Sequence, residues 1–360
     1  MNSIYLHPLS SLKQILKANK INQNIAELIF NSIYQKSIKS FKEMTFLSNF
    51  QITKLEELFF FDSLTIIQSQ TDSEDLTTKF LIKLGDNNFI ETVVMKFDYG
   101  FSVCITSQVG CNMACKFCAS GLIRKKRNLA INEMVLQVLK AIEFVKQQYK
   151  QNLSHIVVMG IGEPFDNYDN LIAFLEIVTN QKGLNIASTK ITVSTCGLVD
   201  KIKAFADLNN RVNLAISLHA PNDSIRNQIM PINKKYPIAQ LMDAIKYFIA
   251  KTNKRIAIEY ILIENVNDSI ENAIELAALV KNLYCYLNLI PYNKVIETNY
   301  CASTKVNQFF QVLKENKINV TVRIKKGNKI DAACGQLRVK KLREENDAKG
   351  IDNQSFNKSK

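Results

Sequence analysis

The sequence predicts an α/β protein built on a full or partial (β/α) barrel, and three observations point there. From about Phe97 the chain alternates strand-like and helix-like patterns, the mark of parallel strands joined by helical crossovers. A chain of 360 residues with 47% apolar side chains can bury one large core and a smaller appendage. Short motifs bearing glycine, hydroxyls and thiols fall repeatedly at the predicted strand ends, where barrels of this kind carry their chemistry.

Taken in order, residues 1–90 form a small helical unit with a strand extension. Ser10 to Leu16 opens an amphipathic helix, Ile25 to Tyr34 repeats apolar residues at helical spacing, and Phe41 to Phe61 carries two further helical patterns that part near Ser48-Asn49. Leu64 to Gln70 and Lys79 to Leu84 read as a hairpin. Asp86-Asn87-Asn88 then turns the chain into Phe89 to Phe97. The second unit, 97–338, offers strands at Phe101–Thr106, His155–Met159, Lys190–Ser194, Val212–Ser217, Ala257–Leu262, Tyr286–Ile290 and Asn319–Arg323. Between them lie helices at Asn132–Tyr149, Asn170–Thr179, Leu198–Leu208, Ile238–Thr252, Ile270–Leu283 and Lys305–Glu315. In the first of these, Met134, Val135, Val138, Leu139, Ile142 and Val145 share a face, and Asn132 can cap it. The tail, 339–360, is rich in Lys, Arg, Glu and Asn and nearly free of apolar residues, which predicts mobility.

A formal net charge of +13 suits an anionic partner, nucleic acid above all. A lysine- and asparagine-rich composition without tryptophan accounts for the same charge, so a motif has to decide. Eight cysteines without a secretory leader point to a reducing cytoplasm and a metal role rather than a disulfide framework. The longest apolar runs, such as Ile256 to Ile263, are broken by Glu259 and too short to span a bilayer. A soluble, cytoplasmic protein with no membrane partner is expected.

The densest chemical signal is Cys111-Asn-Met-Ala-Cys115-Lys-Phe-Cys118, three thiols in C-x3-C-x2-C spacing after the first barrel strand. Structural zinc takes four protein ligands in two separated pairs, and most iron–sulfur clusters take four cysteines. Three in a tight loop suit a four-iron cluster with one open iron; three unrelated core cysteines are the bland alternative. This spacing resembles that of the radical S-adenosylmethionine (radical SAM) enzymes. The second barrel strand ends in Met159-Gly160-Ile161-Gly162-Glu163-Pro164, where glycines permit close backbone approach and Glu163 can accept from a cationic amine. A plain strand-to-helix turn reads the same way. Ser194-Thr195-Cys196-Gly197 and Ser217-Leu218-His219-Ala220-Pro221-Asn222-Asp223 put hydroxyls and one of only three histidines at the rim. Asn288-Leu289-Ile290-Pro291-Tyr292-Asn293 adds an amide able to read an adenine or ribose edge. Near the end, Lys329-Ile330-Asp331-Ala332-Ala333-Cys334-Gly335-Gln336-Leu337 surrounds one thiol with small residues. A reactive thiol and a buried structural one remain equally open there.

In this order, and together with Ile90-Glu91-Thr92-Val93, Ser107-Gln108-Val109-Gly110 and Met230-Pro231-Ile232-Asn233, the motifs resemble the RlmN-type adenine-C2 RNA methyltransferases across about residues 90–338. The resemblance implies that Cys111, Cys115 and Cys118 hold a [4Fe-4S] cluster, and that Gly162, Glu163, Ser194, Ser217, Leu218, His219 and Asn293 line the S-adenosylmethionine (SAM) site. It implies that Cys334 is methylated by one SAM, and that a second SAM supplies a radical that activates the S-methyl group for attack on adenine. Glu91 would remove the carbon-2 proton and Cys104 would release the adduct through a transient disulfide with Cys334. The implied partners are 23S rRNA at the peptidyl-transferase centre, tRNA 3′ of the anticodon, and an electron donor such as flavodoxin or ferredoxin; the implied state is a monomer. The chemistry is coherent: carbon 2 of adenine is electrophilic, so a methyl cation cannot attack it while a carbon radical can, a task delegated to cofactors. The target base must also be unstacked to reach a barrel mouth.

Arg124-Lys125-Lys126-Arg127 can be a phosphate contact or a solvated charge run. Departures from the family pattern are Cys196 where Ser is usual, Asn265 where Gly is usual, an N-terminal unit without Trp, and Asn328-Lys329 where an acidic residue usually precedes Ile330. Two other readings stand beside the main one: a Cfr-type adenine carbon-8 methyltransferase, disfavoured by Pro164 after Gly-Glu, and a non-enzymatic iron–sulfur RNA-binding or redox-sensing protein.

Overall fold

The computed structural model describes residues 1–208, 210–295, 298–324, 326–327, 329–330 and 335–341. Ten strands form one sheet: β1 (Thr65–Thr71), β2 (Thr78–Lys83), β3 (Phe89–Phe97), β4 (Gly100–Cys104), β5 (Leu153–Val158), β6 (Ile191–Thr195), β7 (Asn213–Ser217), β8 (Ile256–Leu262), β9 (Cys285–Pro291) and β10 (Val320–Val322). Spatial order follows chain order from β1 to β10. β1 to β4 are antiparallel neighbours and β4 to β10 are parallel. The architecture is a partial (β/α) barrel extended on one side by the antiparallel hairpin.

The parallel strands are mostly apolar, as strands covered on both faces tend to be; in β8 six of seven residues are buried, Glu259 among them. The covering helices are α4 (Ile131–Tyr149), α5 (Tyr168–Thr179), α6 (Val199–Asp207), α8 (Ile238–Thr252), α9 (Ile270–Val280) and α10 (Val306–Glu315). Ahead of the sheet come α1 (Leu9–Ala18), α2 (Ala26–Tyr34) and α3 (Asn49–Leu58), the last capped reciprocally by Ser48 and Gln51. One apolar core runs from Ile4 through Val320, so residues on both sides of position 90 share a sheet and a core.

Three local expectations change. Asn132 does not cap α4. Ala130 occupies the cap, its N–H donating to Glu133 Oε2 (2.9 Å), while Asn132 donates to Asp62 Oδ2 (2.6 Å) and fastens the N-terminal unit to the barrel. A short α7 (Asp223–Ile229), too brief to show a period, sits between β7 and α8. Helical backbone over 336–341 and a buried Val339 carry ordered chain past the expected tail boundary at 339; residues 342–360 lie outside the described residues.

Candidate active site

The thiol loop is fastened before any ligand is considered. Gln108–Val109 pairs antiparallel with Arg127–Asn128. Inside that ribbon Cys111 N–H donates to Ile123 O (2.9 Å) and Lys126 N–H to Val109 O (2.7 Å). Gly110 has φ +85°, and a Cβ there would lie 2.4 Å from Arg124 O, so only glycine lets the two sides close. The far end is pinned by Lys116 N–H to Ile229 O (3.0 Å), and Cys115 and Phe117 pack on Ile229 and Met230.

Cys111, Cys115 and Cys118 line one cavity of about 200 Å³ with Gly162, Glu163, Ser194, Ser217 and His219. The C-terminal ends of β5, β6 and β7 thus meet the loop where barrel chemistry is expected. Burial pushes the Cys111 thiol up to about 12, and burial raises Cys115 well above the ordinary thiol range, the neighbouring thiols adding to both. Such thiols become thiolates only against strong positive charge. No three acidic, histidine or cysteine side chains among the described residues are gathered round a single ion. That does not conflict with a four-iron cluster, which would not ask three thiolates to share one ion. The donor set, three thiols in one closed loop, fits such a cluster; Cys196 also lines this cavity, but from the end of β6 and outside the loop.

The glycines of the second motif answer to protein rather than ligand. A Cβ on Gly160 would meet Ile105 O at 2.6 Å, and one on Gly162 (φ +108°) would meet Gln108 Cβ at 2.6 Å. Glu163 is buried; Oε1 accepts from Phe165 N–H (3.0 Å) and Oε2 from Cys196 N–H (2.8 Å), tying two strand ends together. Burial raises its pKa despite these bonds. His219 takes a left-handed φ of +57°. Its Nδ1 accepts from Ile261 N–H (3.0 Å), which leaves the ring proton on Nε2, and its ring meets Phe117 edge-on at 5.0 Å. Burial lowers its pKa to about 3, so the imidazole stays neutral. Leu218 has its side chain in the core and lines neither cavity; its N–H donates to Glu259 O (3.1 Å) and its carbonyl accepts from Arg226 Nε.

A second cavity of about 230 Å³ adjoins the first, sharing Phe117, Cys118, Ile290 and Arg323, and is lined by Cys104 and Asn293. Glu91 is not on that wall. It is buried on β3, where Oε2 faces Lys79 Nζ (3.1 Å) and accepts from Gly335 N–H (2.8 Å), and Oε1 accepts from Arg338 N–H (2.7 Å). Gly335 (φ +84°) in turn abuts Ala119 and Ser120, just past the last cysteine of the loop. Cys334 itself lies outside the described residues.

Sequence reading missed several polar groups that shape this site. Arg226 is fully buried, donating from Nε to Leu218 O (3.1 Å), from Nη1 to Asn233 Oδ1 (2.8 Å) and from Nη2 to Cys196 O (2.7 Å). Glu259 lines the first cavity and accepts from Asn288 Nδ2 (2.9 Å). Lys79 is fully buried. The available signal was a Lys and a Glu each set inside an apolar strand run. The basic run is largely engaged within the chain. Lys125 pairs with Asp166 (2.6 Å), Lys126 donates to Asn88 Oδ1 (2.9 Å), and Arg127 bonds Glu133 through both Nη atoms (2.7 and 2.8 Å) and Asp86 through Nε (2.6 Å).

Comparison with known proteins adds to this geometry. The family model of the radical SAM superfamily matches residues 105–277. A curated relative from Malacoplasma penetrans, named a probable dual-specificity RNA methyltransferase RlmN, is 58% identical over 349 residues, 97% of this chain and 99% of the relative. One of the same name from Spiroplasma citri is 54% identical, covering 94% of this chain and 98% of its own. The crystal structure of a radical SAM methyltransferase from Sphaerobacter thermophilus superposes with a TM-score of 0.87 at 38% identity, covering 93% of this chain and 99% of that one.

Proposed function

The chain belongs to the RlmN family of radical SAM RNA methyltransferases, and from that premise we propose that it methylates carbon 2 of adenine in 23S rRNA and in tRNA. The observation that carries the reading is the meeting of Cys111, Cys115 and Cys118 with the ends of three parallel strands around one cavity, beside a second that holds Cys104 and Asn293. When bound, a [4Fe-4S] cluster and SAM would supply the methyl group and the radical reactivity that an electrophilic ring carbon demands.

The chain's own residues do the rest of the work. The three thiolates hold the cluster. Ser194, Ser217, Asn293, the Nε2 proton of His219 and the main chain at Gly162 hold SAM, with Leu218 packed behind them and Glu163 binding its amine. Keeping His219 neutral leaves it a donor without adding a charge that would repel the sulfonium. Cys334 carries the methyl group, Cys104 releases the adduct, and Glu91 takes the carbon-2 proton. Two SAM molecules are used per turnover, a small carrier such as flavodoxin or ferredoxin delivers electrons, and the protein works as a cytoplasmic monomer. Residues 1–90 contribute an RNA-docking surface and 97–338 the catalytic unit, with 339–360 a basic tail.

The test reconstitutes the protein with iron and sulfide, adds SAM, reductant and unmodified 23S rRNA fragment or tRNA, and identifies methylated adenosine by mass spectrometry against standards. 2-Methyladenosine, lost in Cys334→Ala, is expected. 8-Methyladenosine would assign the Cfr-type reaction instead, and uncleaved SAM over an intact cluster would leave a binding or sensing protein. In Cys111→Ala, Cys115→Ala or Cys118→Ala, bound iron after reconstitution should fall to near background while the fold persists; full iron retention would remove the cluster assignment.

A further inference from the structure

The C-terminal stretch beyond Cys334 is stitched to the barrel residue by residue. Gly335 N–H and Arg338 N–H both donate to the Glu91 carboxylate, Gln336 Nε2 donates to Lys294 O (3.0 Å), and Leu337 is buried against Leu81 and Phe89. The same Gly335 takes a left-handed φ of +84°, and a Cβ there would come 3.2 Å from Ser120 Oγ at the cluster loop. The carboxylate is held from below by Lys79. In the β2–β3 ladder Glu91 pairs with Leu81 and Lys79 with Val93, so the two lie diagonally across neighbouring strands. Glu91 is 3% exposed and Lys79 fully buried. A carboxylate covered in this way cannot meet a substrate carbon while 335–338 sits on it.

We propose that Glu91, fixed by Lys79, is the positioning residue for the segment that carries Cys334: its carboxylate docks Gly335 and Arg338, and it is uncovered for a substrate proton only when that segment lifts. The inference rests on the proposed function for the role of Cys334, and adds that moving the methyl carrier and exposing the base are one event. A carboxylate that grips the N–H groups of Gly335 and Arg338 ties the docking of the stretch that follows Cys334 to its own availability. No bond other than hydrogen bonds is made or broken in the exchange.

The test needs no turnover. In reconstituted, SAM-free protein, hydrogen exchange over 335–341 is followed by mass spectrometry, with alkylation of Cys334 by iodoacetamide resolved by peptide. Exchange in Glu91→Gln should rise tenfold or more over 335–341 and stay unchanged over 78–83, and Lys79→Met should move it the same way. Arg338→Pro deletes the N–H that Oε1 accepts, a first-turn N–H with no partner inside the helix, whereas Arg338→Ala keeps it. The Pro variant should alkylate at Cys334 several-fold faster than the Ala variant. RNA bearing the target adenosine should raise exchange over 335–341 in the wild type, with RNA binding scored separately by gel shift. Unchanged exchange in Glu91→Gln, equal alkylation of the Pro and Ala variants, or bound RNA that leaves 335–341 protected would each overturn the proposal. Absence of methylated adenosine with the exchange pattern as expected would count against the proposed function and not against the docking.

Discussion

Two arginines are buried among the described residues, and they are treated in opposite ways. Arg226, between β7 and α8, has its guanidinium bonded to three carbonyls at two strand ends, those of Leu218, Ser217 and Cys196, and to Asn233. Arg338, in the C-terminal segment, is 2% exposed, yet its Nε and Nη1 are buried without a hydrogen-bond partner among the described residues. Burial lowers its pKa to about 10, with the Glu91 charge opposing the shift. Only the backbone N–H of Arg338 is well used, on Glu91. The contrast separates a wall that holds one arrangement from a segment whose two backbone N–H bonds at Gly335 and Arg338 both go to a single carboxylate. The first suits groups that must keep their positions around a cofactor, the second a group that must travel.

The contrast can be broken by experiment. Arg226→Met should destabilise most. It leaves Leu218 O, Cys196 O and Asn233 Oδ1 without their donor, and at about 1–3 kcal/mol for each unsatisfied buried group the loss should reach ~3 kcal/mol or more, read from the urea midpoint. An equal loss in Arg338→Met would erase the distinction. Next comes pH. The unfolded chain takes up a proton on His219 near its ordinary 6.5, and the native state only near about 3. Native stability should therefore fall as pH drops through that window, and this histidine should contribute no slope above it. Glu163, with its pKa raised, contributes with the opposite sign above its ordinary value, so the informative quantity is the difference between wild type and His219→Gln. That variant should flatten the acid limb in urea titrations of cluster-free protein; an unchanged limb would mean that the ring is already protonated in the native state. Arg338→Met should change stability by less than ~1 kcal/mol, because a buried charge with unbonded donors has little to lose on replacement by an apolar chain. The smallest effect is expected for Lys125→Ala, whose half-buried pair with Asp166 is worth about 0–1 kcal/mol; a clear loss of RNA binding without loss of stability would return that lysine to the phosphate-contact reading.

Much of this was legible in the sequence because periodicity and motif order are local properties. Phe89–Phe97 is a strand over the expected range, and the thiol loop and three strand-end motifs converge on one cavity. What escaped depends on what lies across a gap. Arg226 reads as an ordinary surface residue on a seven-residue helix until the carbonyls of Cys196 and Leu218 are placed around it. The Arg124–Arg127 run reads as a phosphate contact or a solvated charge run until Asp166, Glu133 and Asp86 come to meet it. Asn265, a departure from the usual glycine, is explained only by its backbone: φ is +56°, a conformation asparagine tolerates better than most. Its neighbour Asn267 donates to His219 O and Ile261 O, so that motif props the histidine from beneath.

The small ribbon of Gln108–Val109 on Arg127–Asn128 has a further consequence, for the order of assembly. Closing a flexible loop of some twenty residues costs chain entropy, on the order of a few kcal/mol. Where a metal alone closes the loop, that cost falls on the metal, and the protein is unfolded without it. Here the loop is closed by backbone bonds on both sides of Cys111 and by Lys116 on Ile229, so folding can be completed while the thiols are still protonated. Iron and sulfide then enter a finished pocket as the last step, and removing them by chelation should return a folded protein ready to be filled again.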